Sequence, residues 1–165
     1  MIDNIKEITV NETRAQIACM LNELWHSRLP KIHWSNVVRN THYVCYVFKY
    51  NEAVVGVAIW SSPIARKIDR NTHLELRRLA LCNVCPKNTA TFVLAKMRNL
   101  IKDKFPNIKT LISYQDTEVH LGTIYKADNW TDVIESVGGE WASPTRKRKA
   151  VQSAVKKIRW EYNIG

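Results

Sequence analysis

The sequence lacks any apolar run approaching the roughly 18 residues that a membrane-spanning helix requires. Its first ten residues, MIDNIKEITV, also lack the basic-then-apolar order of a secretory signal peptide. No internal repeat or low-complexity segment is present. We therefore predict a cytoplasmic protein of 165 residues, long enough for a substantial core and without a membrane partner.

Cysteine and histidine are too few and too scattered to predict a metal site. Cys82 and Cys85 have zinc-ligand spacing, but no second close cysteine pair accompanies them. His26, Asp116 and Tyr125 could in principle bind a metal ion, yet no spacing rule links them. The metal requirement is open.

Acidic residues are outnumbered. The chain has 25 Lys and Arg against 15 Asp and Glu, which gives a net charge of +10 and predicts a polyanionic partner, with nucleic acid first. Basic residues crowd the C-terminal segment, residues 144–165. We predict that this segment is a helix docked by its apolar side on a domain of residues 1–143, with Trp160 free to stack on an exposed base. A solvated helix is the alternative. The predicted DNA-binding side chains are Arg146, Lys147, Arg148, Lys149, Lys156, Lys157 and Arg159.

Hydrophobic periodicity predicts the elements. Ile17, Met20, Leu21 and Leu24 recur at helical spacing. YVCYVFKY and AVVGVAIWS, separated by NE, predict a β-hairpin, and LELRRLAL predicts a strand with a bulge where its alternation slips at its two arginines. A helix over residues 87–105, a strand TLISYQD, a helix TEVHLGTIYKAD and a strand beginning at NWTDVIES follow. Strands joined by helices predict an α/β fold, a single-domain mixed central sheet with helices on both faces.

Several side chains with useful chemistry fall near the carboxyl ends of these strands, where ligands bind in such sheets. Asp116 ends its strand and is either a catalytic carboxylate or a helix N-cap. Tyr125 is either a general acid or oxyanion donor, or a core tyrosine. His120, near a helix start, is either a neutral base or a solvent-facing cap. His26 either points toward a bound ligand or is an ordinary surface residue.

Gly122 lies within the predicted helix TEVHLGTIYKAD, where glycine costs roughly 1 kcal/mol against alanine. Close approach of a bound ligand would explain it, with His120 and Tyr125 flanking and Trp130 closing the pocket wall. Relief of crowding between helix and sheet is the alternative.

The stretches LELRRLAL, ISYQD, GTIY and NW, with LWHSRLP upstream, resemble the bacteriophage Mom DNA-modification family. The resemblance implies a fold like that of GNAT acyltransferases and the conversion of adenine in duplex DNA to N6-carbamoylmethyladenine, which protects DNA from host restriction. By motif it assigns catalytic roles to His26, Arg78, Asp116 and Tyr125.

The same resemblance implies further substrate contacts, of which Ser27 stands where the family often has tyrosine. These predicted substrate-binding residues are Ser27, Arg28, Ser113, Tyr114, His120, Gly122 and Trp130. The turn CNVCPKNT has none of the glycines with which GNAT enzymes cradle the pyrophosphate of acyl-CoA, although Asn88 and Thr89 could hold an anion. Acyl-CoA therefore stays one option, and the small-molecule group donor is open.

Two other functions stay open at this point. One is an acetyl-CoA-dependent N-acetyltransferase acting on a protein or small amine, and the other is a DNA-binding protein on an inactive transferase scaffold. The sequence leaves the DNA sequence context and the oligomeric state undetermined.

Overall fold

The structure, a computed structural model, describes residues 1–25, 29–116, 122–136 and 157–165. Its strands are β1 (Thr9–Thr13), β2 (Tyr43–Tyr50), β3 (Ala53–Ser61), β4 (His73–Leu81), β5 (Thr110–Asp116), β6 (Thr131–Ser136) and β7 (Lys157–Asn163). Its helices are α1 (Ala15–Trp25), α2 (Trp34–Val38), α3 (Thr89–Lys104) and α4 (Thr123–Ala127), after a 3₁₀ turn over Ile5–Glu7.

The strands form one mixed sheet in the order β1-β2-β3-β4-β5-β7-β6. Neighbours are antiparallel except β4 and β5, which are parallel and joined through α3. Residues of α1 pack on one face of the sheet and residues of α3 on the other, in two separate apolar clusters. The predicted mixed α/β sheet with helices on both faces is confirmed. We refer below to the α1 face and the α3 face.

The β2–β3 hairpin is confirmed with its two-residue turn. Asn51 and Glu52 both have positive φ, 48° and 66°, which is the backbone that a tight hairpin turn needs to match the strand twist. Tyr50 and Ala53 pair directly across it.

The bulge in β4 is confirmed as well. Ile59 pairs with Arg78 and Trp60 with Leu76, so Arg77 is the extra residue. Leu74 and Leu76 pack on the α3 face, whereas Ala80, beyond the bulge, packs on the α1 face. The phase slip thus turns both arginines toward the α1 face.

The buried face of α1 differs from the one that its sequence pattern predicts, and of the four predicted positions only Leu21 packs toward the sheet. Ile17, Met20 and Leu24 are 42%, 58% and 71% exposed. The buried positions are Ala15, Ala18, Cys19 and Asn22. Small side chains let the helix lie close against β2 and β3, so Ile17, Met20 and Leu24 point away from the sheet, whereas Leu21 packs against the cluster on the α1 face.

The predicted C-terminal helix is wrong over residues 157–163, which form β7 between β5 and β6. Ile158, Trp160 and Tyr162 alternate onto the α3 face, and Lys157 and Arg159 belong to a strand. Trp160 is only 3% exposed, so it is a core residue rather than a platform for an exposed base.

Candidate active-site cleft

The parallel strands β4 and β5 part near the middle of the sheet. Their pairing runs from His73 opposite Thr110 to Leu76 opposite Ser113, after which both strands continue without pairing to each other. The β4 bulge begins at the next residue, Arg77. A cleft therefore opens at the carboxyl ends of two parallel strands, where α/β sheets bind ligands.

On the α3 face this cleft is bordered by a buried tyrosine. The Tyr125 hydroxyl lies 2.8 Å from the Ser113 Oγ. The Tyr125 ring stacks on Trp160 and meets Trp130 edge-on, with ring centroids 5.7 Å and 5.5 Å apart. Burial raises the pKa of Tyr125, which the Ser113 hydrogen bond partly offsets. The phenol thus stays protonated at neutral pH and is able to donate.

Gly122 lies at the start of α4 rather than within it, because the helix begins at Thr123. The prediction that this glycine interrupts a helix is therefore wrong. Its φ is +69°, a left-handed conformation, and a Cβ would lie 2.5 Å from the Gln115 Oε1 and 2.8 Å from the Trp160 ring. The glycine lets the chain cross β5 and β7 in close contact, which favours the crowding explanation.

Trp130 is held by a buried ion pair. Its indole nitrogen donates to the Asp128 Oδ2 at 2.8 Å, and the Arg98 guanidinium donates to both carboxylate oxygens at 2.9 Å and 2.7 Å. Arg98 also lies 4.1 Å over the Tyr162 ring. Sequence reasoning missed Arg98 and Asp128, since they lie 30 residues apart and no local pattern links them.

The α1 face of the same strands carries charge. The buried Glu75 accepts the Ile64 amide at 3.2 Å and lies 3.9 Å from the Arg77 Nε, while Arg77 donates to the Ser61 hydroxyl at 3.0 Å. Burial raises the pKa of Glu75, and the charge of Arg77 opposes this shift. Sequence reasoning missed Glu75 and Arg77, although the alternation of LELRR was a usable signal.

Arg78 spans the space between β4 and the chain after α1. Its guanidinium donates to the Arg77 carbonyl at 2.6 Å and to the Pro30 carbonyl at 2.9 Å, and its Nε has no partner among the described residues. Burial, with the charge of Arg77, lowers the pKa of Arg78 to about 10, so it remains a cation at neutral pH.

Tyr114, a predicted substrate contact, also faces this side. It lies opposite Arg159 in the β5–β7 ladder, and Arg159 pairs with Glu161 at 2.9 Å. Burial raises the pKa of Tyr114, and the negative charge of Glu75 adds to the shift. At the end of this ladder Asp116 lies opposite Lys157. Tyr125 and Arg78, predicted to act together, thus lie on opposite faces.

The turn between β4 and α3 bends without glycine. Asn88 takes the left-handed conformation itself, with φ 73°, and makes no side-chain cap to α3. The buried Thr89 hydroxyl donates to the Pro86 carbonyl at 2.8 Å. The Cys82 and Cys85 sulfurs are 3.6 Å apart. The 16-residue α3 therefore begins without a side-chain cap and without an acid in its first turn, which suits an anion.

The remaining predicted site residues lie outside the described part of the chain. These are His26, Ser27, Arg28, His120, Arg146, Lys147, Arg148, Lys149 and Lys156. Within residues 1–25, 29–116, 122–136 and 157–165, no three His, Cys, Asp or Glu side chains are placed to hold a metal ion. None of the helices in those ranges has the length and apolar character needed to cross a membrane.

Known proteins were compared with this chain. The family model described as the Mom protein family matches residues 8–161. No curated protein matches. Among solved structures, a GNAT family acetyltransferase from Elizabethkingia anophelis with acetyl-CoA bound is similar, with TM-score 0.66 at 16% identity over 95% of this chain and 98% of that one. An N-acetyltransferase from Staphylococcus aureus Mu50 has TM-score 0.67 at 13% identity, covering 96% and 99%. A spermidine N-acetyltransferase variant from Vibrio cholerae has TM-score 0.69 at 8% identity, covering 96% and 95%. The GNAT-like fold is confirmed.

Proposed function

Because the chain belongs to the Mom protein family, we propose that it is a phage DNA-modification transferase that converts adenine in duplex DNA to N6-carbamoylmethyladenine and so protects the DNA from restriction. The observation that carries this proposal is the family match over residues 8–161, which includes both faces of the cleft. The parted strands β4 and β5 support a group-transfer site at their carboxyl ends.

Adenine within a duplex is out of reach of such a cleft, so the target base has to leave the stack. Its exocyclic amine is a weak nucleophile, and holding it against the donor accounts for much of the rate. Asp116, at the end of β5, is the carboxylate that orients the amine or accepts its proton. The position of Asp116 at the strand end supports this role.

Tyr125 is the proton donor to the leaving group. Its raised pKa keeps the phenol protonated, and Ser113 orients the hydroxyl. Arg78 places a cation beside the cleft and, through its bond to the Pro30 carbonyl, holds the chain that leads back to His26. We assign it the stabilisation of developing negative charge and this positioning role.

A phosphate-bearing donor such as an acyl-CoA fits the amino end of α3. The uncapped first turn after Asn88 supplies backbone N–H groups, and Lys87 adds a nearby exposed cation. In the proposed reaction the bond from adenine N6 forms to the methylene carbon of the carbamoylmethyl group while the bond from that carbon to the leaving group breaks. Attack at an acyl carbonyl would give an amide instead, so a CoA-linked donor would have to present this methylene carbon to the cleft.

The test is mass spectrometry of nucleosides from plasmid DNA of cells that express the protein. We expect a deoxyadenosine with the mass increment of a carbamoylmethyl group, lost in Asp116→Ala and retained in the control Asp103→Ala, an exposed residue on α3. Both variants are first shown to be folded and to bind DNA. Modification that persists in Asp116→Ala would remove Asp116 from the mechanism.

Unmodified DNA from folded, DNA-binding protein would contradict the proposed reaction in that host. Saturable binding of acetyl-CoA with acetylation of a protein or amine would then favour the alternative, an N-acetyltransferase. Duplex binding without any transferase activity would favour a DNA-binding protein on this scaffold.

A further inference from the structure

The connection between β3 and β4 carries three exposed cations close together in sequence. Residues 63–72 hold three cations, Arg66, Lys67 and Arg70, within five positions, and all three are exposed. Within the described part of the chain, none of the three side chains makes an ion pair or hydrogen bond. By contrast, Lys31, Lys49 and Lys104 each lie near a glutamate.

The one acid in this loop is occupied within its own turn. The Asp69 carboxylate accepts the Asn71 amide at 2.9 Å and the Thr72 hydroxyl at 3.1 Å. These bonds, the Asn71 amide first, lower the pKa of Asp69. Asp69 therefore stabilises the conformation of the loop. With three cations and this one acid, the loop has a net charge of +2.

The loop is fastened at both ends. At its start the Ser62 amide donates to the His42 carbonyl at 2.8 Å, and at its end the Lys109 amide donates to the Thr72 carbonyl at 2.8 Å. The His42 ring also lies 3.2 Å from the Arg70 carbonyl. Ordered attachment reduces the entropy lost when these cations bind a ligand.

The start of the loop is also linked to the cleft. Glu75 accepts the amide of Ile64 with one carboxylate oxygen, and its other oxygen lies 3.9 Å from the Nε of Arg77, where β4 and β5 part. One buried carboxylate thus joins the base of the basic loop to the edge of the candidate site.

We propose that the loop of residues 63–72 is a DNA-backbone clamp, in which Arg66, Lys67 and Arg70 contact phosphates of the duplex whose base enters the cleft. This inference rests on the proposed function and adds a phosphate-binding surface separate from the basic C-terminal segment. Arginine and lysine at such a surface position the duplex and do not read its sequence. The loop also presents Ile64, 49% exposed, at its base.

The experiment measures binding of the full chain to a labelled short duplex by fluorescence anisotropy across a range of salt. The unmodified protein is compared with the variant Arg66→Ala, Lys67→Ala, Arg70→Ala. Three phosphate contacts predict that the slope of log affinity against log salt is steeper by about 2.7 in the unmodified protein than in this variant. Between roughly 50 and 200 mM salt the unmodified protein should therefore lose about 40-fold more affinity than the variant does. The variant Arg66→Lys, Arg70→Lys keeps the charge and should keep the slope of the unmodified protein.

The matched control removes the same charge from the α3 side, as Lys6→Ala, Lys102→Ala, Lys126→Ala, all at exposed positions. It should keep the slope of the unmodified protein. Equal flattening in both triple variants would overturn the proposal, because net charge alone would explain it, and so would an unchanged slope in the loop variant. A loop effect seen with duplex RNA and absent with DNA would overturn it as well. Failure of the unmodified protein to bind any duplex would instead contradict the proposed function.

Discussion

The two faces of β4, β5 and β7 differ in chemistry although they share a backbone. The α3 face is aromatic: Tyr125 stacks on Trp160, and the Tyr125 hydroxyl is hydrogen-bonded to Ser113. The α1 face carries ionisable groups, among them Glu75 and Arg78. Alternation along each strand separates the two, and the bulge at Arg77 adds one cation to the charged side. A cleft between strands with two such faces offers a proton donor on one side and an electrostatic field on the other.

The largest expected effect lies at the ion pair that braces the aromatic face. Asp128→Ala leaves Arg98 and the Trp130 indole nitrogen without their acceptor, so we expect the free energy of unfolding to fall by about 3 to 5 kcal/mol. Chemical denaturation measures it. Asp103 is an exposed residue of α3, so the control Asp103→Ala should change the free energy of unfolding by less than about 0.5 kcal/mol. Similar losses of stability in both variants would mean that the Arg98–Asp128 ion pair does not stabilise the aromatic face.

Gly122→Ala should have the next largest effect and lower the free energy of unfolding by about 1 to 3 kcal/mol. The reason is that the new Cβ meets Gln115 and Trp160 at a residue whose φ is positive. The same denaturation experiment applies. Adding Gln115→Ala removes one of the clashing atoms, so the double variant should lose less than the sum of the two single losses. Strict additivity would show that the contact with Gln115 does not contribute to the cost, which would then come from the Trp160 contact and the backbone strain.

Tyr125→Phe separates stability from chemistry on the aromatic face. Loss of the Ser113 hydrogen bond should cost about 1 kcal/mol. If the phenol is the proton donor, modification of DNA should fall by roughly 10²-fold or more in the same variant. Since burial raises the pKa of Tyr125, ionisation of this phenol should not limit activity at or below its ordinary pKa of 10. Full activity in the variant would make Tyr125 a structural residue.

Glu75→Gln tests the charged face and should have the smallest effect. Burial raises the folded-state pKa of Glu75, so the folded chain holds this proton more tightly than the unfolded chain does. Its ionised form therefore costs stability that grows as pH rises from 4.5, the ordinary value, through the raised one. The variant should gain stability relative to the unmodified protein over that window, as denaturation at several pH values would reveal. A relative loss with rising pH would mean that Arg77 outweighs desolvation.

The features that the sequence predicted correctly are those that neighbouring residues determine. The turn at Asn51 and Glu52 and the phase slip at Arg77 are both encoded by adjacent residues, and both were confirmed. The buried face of α1 was predicted wrongly because close packing against the sheet favours small residues such as Ala18. Hydrophobicity alone ranks Ala18 below Met20 as a core residue.

Pairings between distant residues could not be predicted from one sequence. Ile158, Trp160 and Tyr162 fit a strand, yet Val151, Val155 and Ile158 fit a helix, and the choice depends on the place between β5 and β6. In the site, Ser113 and Tyr125 were each predicted, but their 2.8 Å contact was not. The catalytic and DNA-binding roles remain predictions.

The insertion of β7 between β5 and β6 has a consequence for synthesis on the ribosome. Among the described strands, β6 pairs with β7 alone, and Trp160 of β7 stacks on Tyr125. Until residues 157–163 leave the exit tunnel, β6 lacks β7 beside it and the aromatic face lacks the Trp160 ring. A nascent chain can build β1 to β5 early, but the side of the cleft that carries Tyr125 is completed after β7 emerges. An incomplete product should therefore fold in part and be inactive.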